Sequence, residues 1–294
     1  MPPSQKSRPS VGIVGFGAFG RLLARHIAPY VPVVACDISR AAGHDLPPGV
    51  RFGELRQAAG CDVVVLAVPV ERIRAAAQEV ARFVRPGALV VDVGSVKVRP
   101  AFDMLAALPP DVDVIGTHPL FGPQSARDGI RGLKIVLCPL RGRRRLSEVR
   151  TFLKRVLGLN VIITTPDRHD AEAAAAQGLT HLIARLIMEM GPLPTSITTA
   201  SFDLLREATE MVRDDAESVF LAIQQANPYA ASVRQRFFER AEALRQMLDF
   251  PEAFAAEAVQ AGSERSNATP VTGPCVERHN RAVPHAAAME MKSP

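Results

Sequence analysis

The sequence predicts an α/β fold: an N-terminal doubly wound sheet followed by a C-terminal all-helical domain. Three observations carry this. Short apolar runs in the first half are nearly continuous in Val, Ile and Leu, as strands buried on both faces require. These runs alternate with helical stretches, the pattern of βαβ units. Past Pro166 only helical periodicity remains. With 294 residues, 47% of them hydrophobic, the chain is long enough for two domains and a sizeable core.

The elements follow in order. Residues 1–9 are polar and rich in Pro and Ser, and read as a loose tail. A sheet domain is expected over 10–166. Its strands are predicted at 11–14, 31–36, 62–68, 88–93, 112–116, 133–138 and 161–164, and its helices near 18–28, 71–83, 98–108 and 146–157. A helical domain is expected over 167–250. A long helix over 167–190 is broken by Gly191, Pro192 and Pro194, and further helices are predicted over 201–212, 216–227 and 228–249. So short a helical region has a thin core, and a second copy would complete it. A homodimer is therefore expected. From 257 to 294 periodicity fades, and a disordered tail is expected.

Composition excludes several function classes. The net charge of +5 is mild, and no long basic stripe is present. The cluster Arg141, Arg143, Arg144, Arg145 reads as a solvated loop. With no Trp and two Tyr, the chain lacks a base-stacking platform, so no nucleic-acid partner is expected. No apolar run approaches the roughly 18 residues of a membrane span, and the N-terminus lacks a secretory pattern. Cys36, Cys61, Cys138 and Cys275 form no CxxC pair. Neither a disulfide framework nor a metal site is expected, and the cytoplasm is the expected location.

The chemistry begins at Gly15-Phe16-Gly17-Ala18-Phe19-Gly20, a GxGxxG string between a predicted strand and a predicted helix. Gly15 permits the tight turn, Gly17 lets a pyrophosphate approach the backbone, and Gly20 lets helix and strand pack closely. The helix N-terminus then offers free amides to the phosphates. Asp37 lies 22 positions past Gly15, at the end of the next predicted strand. A carboxylate there binds ribose hydroxyls and repels a 2′-phosphate, so NAD is expected over NADP, although Arg40 stands nearby. This is the Rossmann-like signature, and Ala18, Phe19, Val68 and Pro69 are expected to complete the cofactor edge. Ser95, in Asp92-Val93-Gly94-Ser95-Val96-Lys97, is expected at the carboxyl end of a strand, either as a helix N-cap or as a hydrogen-bonding group. His118, in Gly116-Thr117-His118-Pro119, is expected just past a strand, where a pKa near working pH suits a general base.

The run GTHPLFGPQS, the upstream DVGSVK and the downstream DRHDAEAAAAQGLTH together resemble the prephenate/arogenate dehydrogenase family of tyrosine biosynthesis. The resemblance spans about 11–249 and extends into SFDLLREATEMVRDDAESVFLAIQQAN, similar to the helical domain of arogenate-type members. It implies an NAD-dependent oxidative decarboxylation of prephenate or arogenate. His118 would accept the ring hydroxyl proton while hydride leaves the same carbon, and Ser95 would orient the hydroxyl or His118. It assigns Thr117, Gln124, Gln177, Thr180, His181, Arg206 and Arg213 to the substrate. Asp170, Gln177 and His181 form a helical stripe at spacings of 7 and 4, with His169 one step off it and expected to be exposed. Two departures stand out. Ala184 occupies the place of a second histidine found in several relatives. Gln124 stands where many have an acid, which implies weaker discrimination or a lean towards prephenate. A hydroxy-acid or imine reductase with a similar layout would usually place a lysine on the long helix, and 167–190 has none. A non-catalytic NAD-binding sensor would not need Ser95, His118 and the helical stripe together.

Overall fold

The computed structural model describes residues 9–249, apart from Arg143 and Thr195. The tail expected over 257–294, Cys275 and the first eight residues lie outside these. Of the described residues, those up to Glu239 belong to one compact unit and those from Arg240 to a second. The first unit holds every strand described.

Eight strands form one sheet in the order β3-β2-β1-β4-β5-β6-β7-β8. They are β1 Val11–Val14, β2 Val33–Cys36, β3 Val50–Phe52, β4 Val63–Leu66, β5 Leu89–Asp92, β6 Asp113–Pro119, β7 Lys134–Arg141 and β8 Asn160–Ile163. The helices are α1 Ala18–Ile27, α2 Leu55–Ala59, α3 Ile73–Ala81, α4 Val98–Ala107, α5 Leu146–Thr151, α6 Pro166–Glu189, α7 Ala200–Val212, α8 Glu217–Leu221 and α9 Ala230–Asp249. The strands from β3 to β6 pair in parallel, as their helical crossovers require.

Several elements depart from the sequence expectations. β3 and α2 were not anticipated; three and five residues are too few to show a period. β7 runs antiparallel to β6, because residues 120–133 hold no crossover helix. This pairing carries β6 on to Pro119, so His118 lies within the strand rather than past it. The stretch after α5 winds as a π-helical turn over Phe152–Val156, and the stretch after α8 does so over Ala222–Ala226. The arginine cluster is not simply solvated. Arg141 donates to the carbonyls of Leu108, Pro109 and Val112, and Arg145 to that of Asp62.

Alternation along the strands sorts the core. Val14, Val34, Val64, Leu66, Val90 and Val114 face α2, α3 and α4. Ile13, Ala35, Val65, Val91, Ile115 and Leu137 face α1 and the α5 segment. Gly15 has φ +96°, and a Cβ there would meet the Ala67 carbonyl at 2.4 Å; one at Gly20 would meet the Gly15 carbonyl at 2.3 Å. The turn and the close packing of helix on strand therefore both demand glycine. At the other end of the sheet, Thr165 caps α6 by accepting from the Arg168 amide at 3.3 Å, with Pro166 in the first turn.

The second face is thinly covered. Between α1 and the α5 segment lies an apolar cavity of about 200 Å³, lined by Leu23, Ile27, Val65, Val91, Val149 and Phe152 among others. Such a gap forfeits dispersion contacts. Val149→Leu, which adds one methylene on the helical side of the gap, is expected to stabilise the fold by about 0.5–1 kcal/mol. Urea denaturation checks this; an unchanged or lowered midpoint would show that the space is not available to the side chain.

Candidate active site

The cofactor edge is built by the first βαβ unit. The α1 N-terminus opens at Gly17 without a side-chain cap, and a Cβ on Gly17 would meet nothing within 4 Å. The free amides of Ala18 and Phe19 thus face open space, which suits a phosphate. Val68 and Pro69 follow β4, with Val68 against the Gly15 turn. Asp37 directly follows β2. Its two oxygens accept from the amides of Phe16 at 2.7 Å and Ser39 at 2.8 Å, which orients the carboxylate and leaves lone pairs for ribose hydroxyls. Arg40 is exposed at the start of a short 3₁₀ turn. These residues fit a dinucleotide. Among the described residues no group of three or more His, Cys, Asp or Glu is disposed to hold a metal ion.

The second cluster lies where β5 and β6 meet the start of α4 and α6. Asp170 is fully buried, and its two oxygens accept the amides of Lys97 at 2.7 Å and Val98 at 2.8 Å. A side chain of α6 therefore caps α4. Ser95, weighed above as that cap, is not the cap. Asp170 Oδ1 also lies 2.7 Å from His169 Nδ1, and His169 Nε2 lies 2.8 Å from His118 Nδ1. His169, expected to be exposed, is buried, and it joins the two groups. Two adjacent residues share this inward position because α6 is held on more than one side. The π turn at Ala222 packs on Val70 and Val96, while Asn227 donates to the Asp170 carbonyl.

Lys97 is 1% exposed, and its ammonium donates to Asp92 and to the Thr117 carbonyl. Thr117 is wholly engaged inside the protein: its amide and hydroxyl both bond to Asp92. Strand alternation turns its side chain away from that of His118, so the expected substrate contact does not fit these bonds. Burial, with His169 and the Lys97 ammonium nearby, holds the His118 imidazole well below its ordinary pKa. The ring is therefore neutral at neutral pH, as a base must be.

The remaining predicted residues are only partly gathered. His181 is buried on α6, its pKa lowered by burial, with Nε2 3.8 Å from Asp215. Gln177 is half-buried, and its Oε1 is sealed without a partner among the described residues. Thr180 is exposed and bonds back to the Ala176 carbonyl. Gln124 is exposed and donates to Asp214 at 2.7 Å. Ala184 is buried. Arg206 and Arg213 line a different pocket, with Ile187, Met188 and Leu193 at the far end of α6, and each pairs with an acid three residues earlier. This chain alone therefore does not bring them to His118.

Removing the Asp170 carboxylate would strand one buried amide, one part-buried amide and one imidazole N–H. Asp170→Ala is expected to destabilise the protein by roughly 2–4 kcal/mol, read as a fall in thermal midpoint. A loss under about 0.5 kcal/mol, the size of a surface substitution, would contradict the cap.

Residues 32–177 match the model of the prephenate dehydrogenase nucleotide-binding domain. The chain is 31% identical over 244 residues to 4-amino-4-deoxyprephenate dehydrogenase of Streptomyces pristinaespiralis, covering 76% of this chain and 79% of that one. It is 29% identical over 252 residues to arogenate dehydrogenase 1 of Arabidopsis thaliana, covering 82% of this chain. The chain spans only 39% of the length of that protein, and 39% of a Methanocaldococcus jannaschii relative. Among solved structures, prephenate dehydrogenase from Aquifex aeolicus, crystallised with hydroxyphenyl propionate and NAD+, has a TM-score of 0.66 at 19% identity, covering 89% of this chain and 99% of its own. Arogenate dehydrogenase from Synechocystis has a TM-score of 0.59 at 19% identity, covering 88% and 100%. The shared fold and the Streptomyces likeness together establish that this chain belongs to the prephenate/arogenate dehydrogenase family.

Proposed function

We propose that the protein is an NAD-dependent dehydrogenase that oxidatively decarboxylates prephenate or arogenate, giving 4-hydroxyphenylpyruvate or tyrosine. The observation that carries this reading is the buried, neutral His118 at the carboxyl end of β6, on the same sheet edge as the glycine turn. Ligands of open α/β sheets bind along that edge. The names of the relatives support the same reaction class.

Gly15, Gly17, Gly20 and the α1 amides would hold the pyrophosphate, and Asp37 the ribose. Bound NAD supplies the hydride acceptor. The protein's own work is base catalysis and positioning. His118 takes the proton of the ring hydroxyl, which lets electron density move towards the carbinol carbon. Ser95, half-buried at the same edge, orients that hydroxyl or the imidazole. Loss of carbon dioxide then completes an aromatic ring. Gln177 and His181 are assigned to the substrate side chain or ring carboxylate, with Gln124 at the rim.

The Streptomyces relative favours a second reading, in which the substrate carries an amine in place of the ring hydroxyl. Prephenate, arogenate and 4-amino-4-deoxyprephenate should therefore be compared with NAD, following NADH. Turnover of prephenate or arogenate is expected, and turnover of the amine alone would select the second reading. His118→Asn should lower kcat by roughly 10²–10⁴-fold while NAD affinity stays unchanged. Because the His118 pKa is depressed, the imidazole stays unprotonated below its ordinary value of 6.5. The acid limb of kcat/KM should accordingly have its midpoint below 6.5. Near-normal turnover by His118→Asn would remove the base assignment.

The protein is also read as a cytoplasmic homodimer. Buried free thiols at Cys36, Cys61 and Cys138 suit a reducing compartment. No described helix is long and apolar enough to cross a membrane. Met190, Leu204, Leu205 and Met211 are exposed on or beside α6 and α7, an apolar surface suited to a second copy. Sedimentation equilibrium should give twice the chain mass. Leu204→Glu should shift the mass towards that of one chain, and a monomeric native protein would refute the dimer.

A further inference from the structure

Asp170, His169 and His118 form a buried line whose proton order follows from donor and acceptor chemistry. An ionised carboxylate only accepts, so His169 Nδ1 carries the proton it gives to Asp170 Oδ1. A neutral His169 then has a bare Nε2. The atom facing it, His118 Nδ1, must donate and so holds the single proton of the neutral His118 ring. His118 Nε2 is left bare, and no described side chain bonds to it.

We propose that Asp170 and His169 are positioning residues that fix His118 in its Nδ1–H tautomer, so that Nε2 is the atom that accepts the substrate proton. The proposal deepens the reading of His118 as general base and rests on it. An untethered imidazole exchanges between two tautomers, and only one presents a bare nitrogen at Nε2. The hydrogen bond made by the other nitrogen decides which is present.

The line also accommodates the charge that follows. When Nε2 takes a proton, His118 becomes an imidazolium whose Nδ1–H still points at His169, and His169 in turn points at the Asp170 anion. Features around His118 oppose the same charge in the resting state. These are the burial of the ring, the neighbouring His169 and the Lys97 ammonium, itself tied to Asp92. If His169 itself took a second proton, at Nε2, it would donate to His118 Nδ1. The His118 proton would then move to Nε2 and the base would be lost. Base activity therefore requires a neutral His169.

The test compares His169→Gln with His169→Phe. A glutamine can accept from His118 Nδ1–H through its oxygen and donate to Asp170 through its amide, which preserves the proton order. A phenylalanine can do neither. The primary measurement is the ¹⁵N NMR spectrum of ring-labelled histidines in the NAD-bound protein at pH 8. His118 should show a protonated Nδ1 and a bare Nε2 in the native protein and in His169→Gln. In His169→Phe the proton should appear at Nε2 in part or in full. With a substrate that is turned over, kcat should stay within about tenfold of native in His169→Gln. It should fall by roughly 10²-fold or more in His169→Phe, with KM and NAD affinity little changed; a wrong tautomer in a serine-protease triad costs about 10⁴. A native His118 protonated at Nε2, or equal losses in both variants with unchanged spectra, would overturn the proposal. The spectra need no turnover, so they judge the tautomer even if none of the three substrates reacts.

Discussion

The Asp170 carboxylate is the interaction on which the rest of the site depends. It is a buried charge, and a buried charge is tolerated only when it is well hydrogen-bonded or paired. Here two main-chain amides at the start of α4 and one imidazole N–H meet it. The amides belong to a helix N-terminus, whose partial positive charge further favours an anion. The same residue's carbonyl accepts from Asn227. One side chain and its peptide thus join the β5–α4 turn, α6 and the segment after α8. Sheet pairing already sets β5 beside β6, and this junction adds α6, and with it His169, to the same frame.

Charge balance then sets the state of His118. Asp92 and Lys97 neutralise one another within the core, and Asp170 gives its charge to a helix terminus and to His169. A carboxylate one ring away would by itself favour an imidazolium. Three effects oppose it: burial of the ring, the neighbouring His169 and the nearby Lys97 ammonium. Burial is the largest, and the result is a depressed pKa. The compromise suits the base role proposed for His118. The ring is unprotonated at rest, yet an anion lies along the direction in which positive charge must be stabilised.

The parts of this arrangement that were legible in the sequence are those with a local period or a local steric rule. The glycine turn was legible because Gly15 and Gly20 answer to contacts a Cβ would violate. The long strands and α6 were legible from hydrophobic spacing. The placing of Thr117 against Asp92 was not legible for a reason of register. With the strand ending at Gly116, alternation was not applied to the next two residues, although in β6 they point to opposite faces. His169 was missed because one buried stripe was assumed for α6. That helix is held by the α4 turn and by the 222–227 segment, so neighbouring positions are both inside. Arg206 and Arg213 were legible as cations but not as neighbours of His118, because only tertiary packing decides where α7 lies.

The rigid and variable parts of the site are separated by construction. Had β6 ended at Gly116, His118 would stand on a loop, the most mobile kind of support. Pairing with the antiparallel β7 extends β6 to Pro119 and places His118 in a strand paired with β7 opposite Val136, two residues past the last pair with β5, with Asp170 and His169 on a long capped helix. Gln124, by contrast, sits in an exposed turn beyond that strand and reaches across to Asp214 near the end of α7. Changes at this rim leave the buried line untouched, because no atom of the line bonds to it. On the reading proposed above, substrate choice would reside in this rim and along α6 at the half-buried Gln177 and the buried His181, apart from the proton-transfer line.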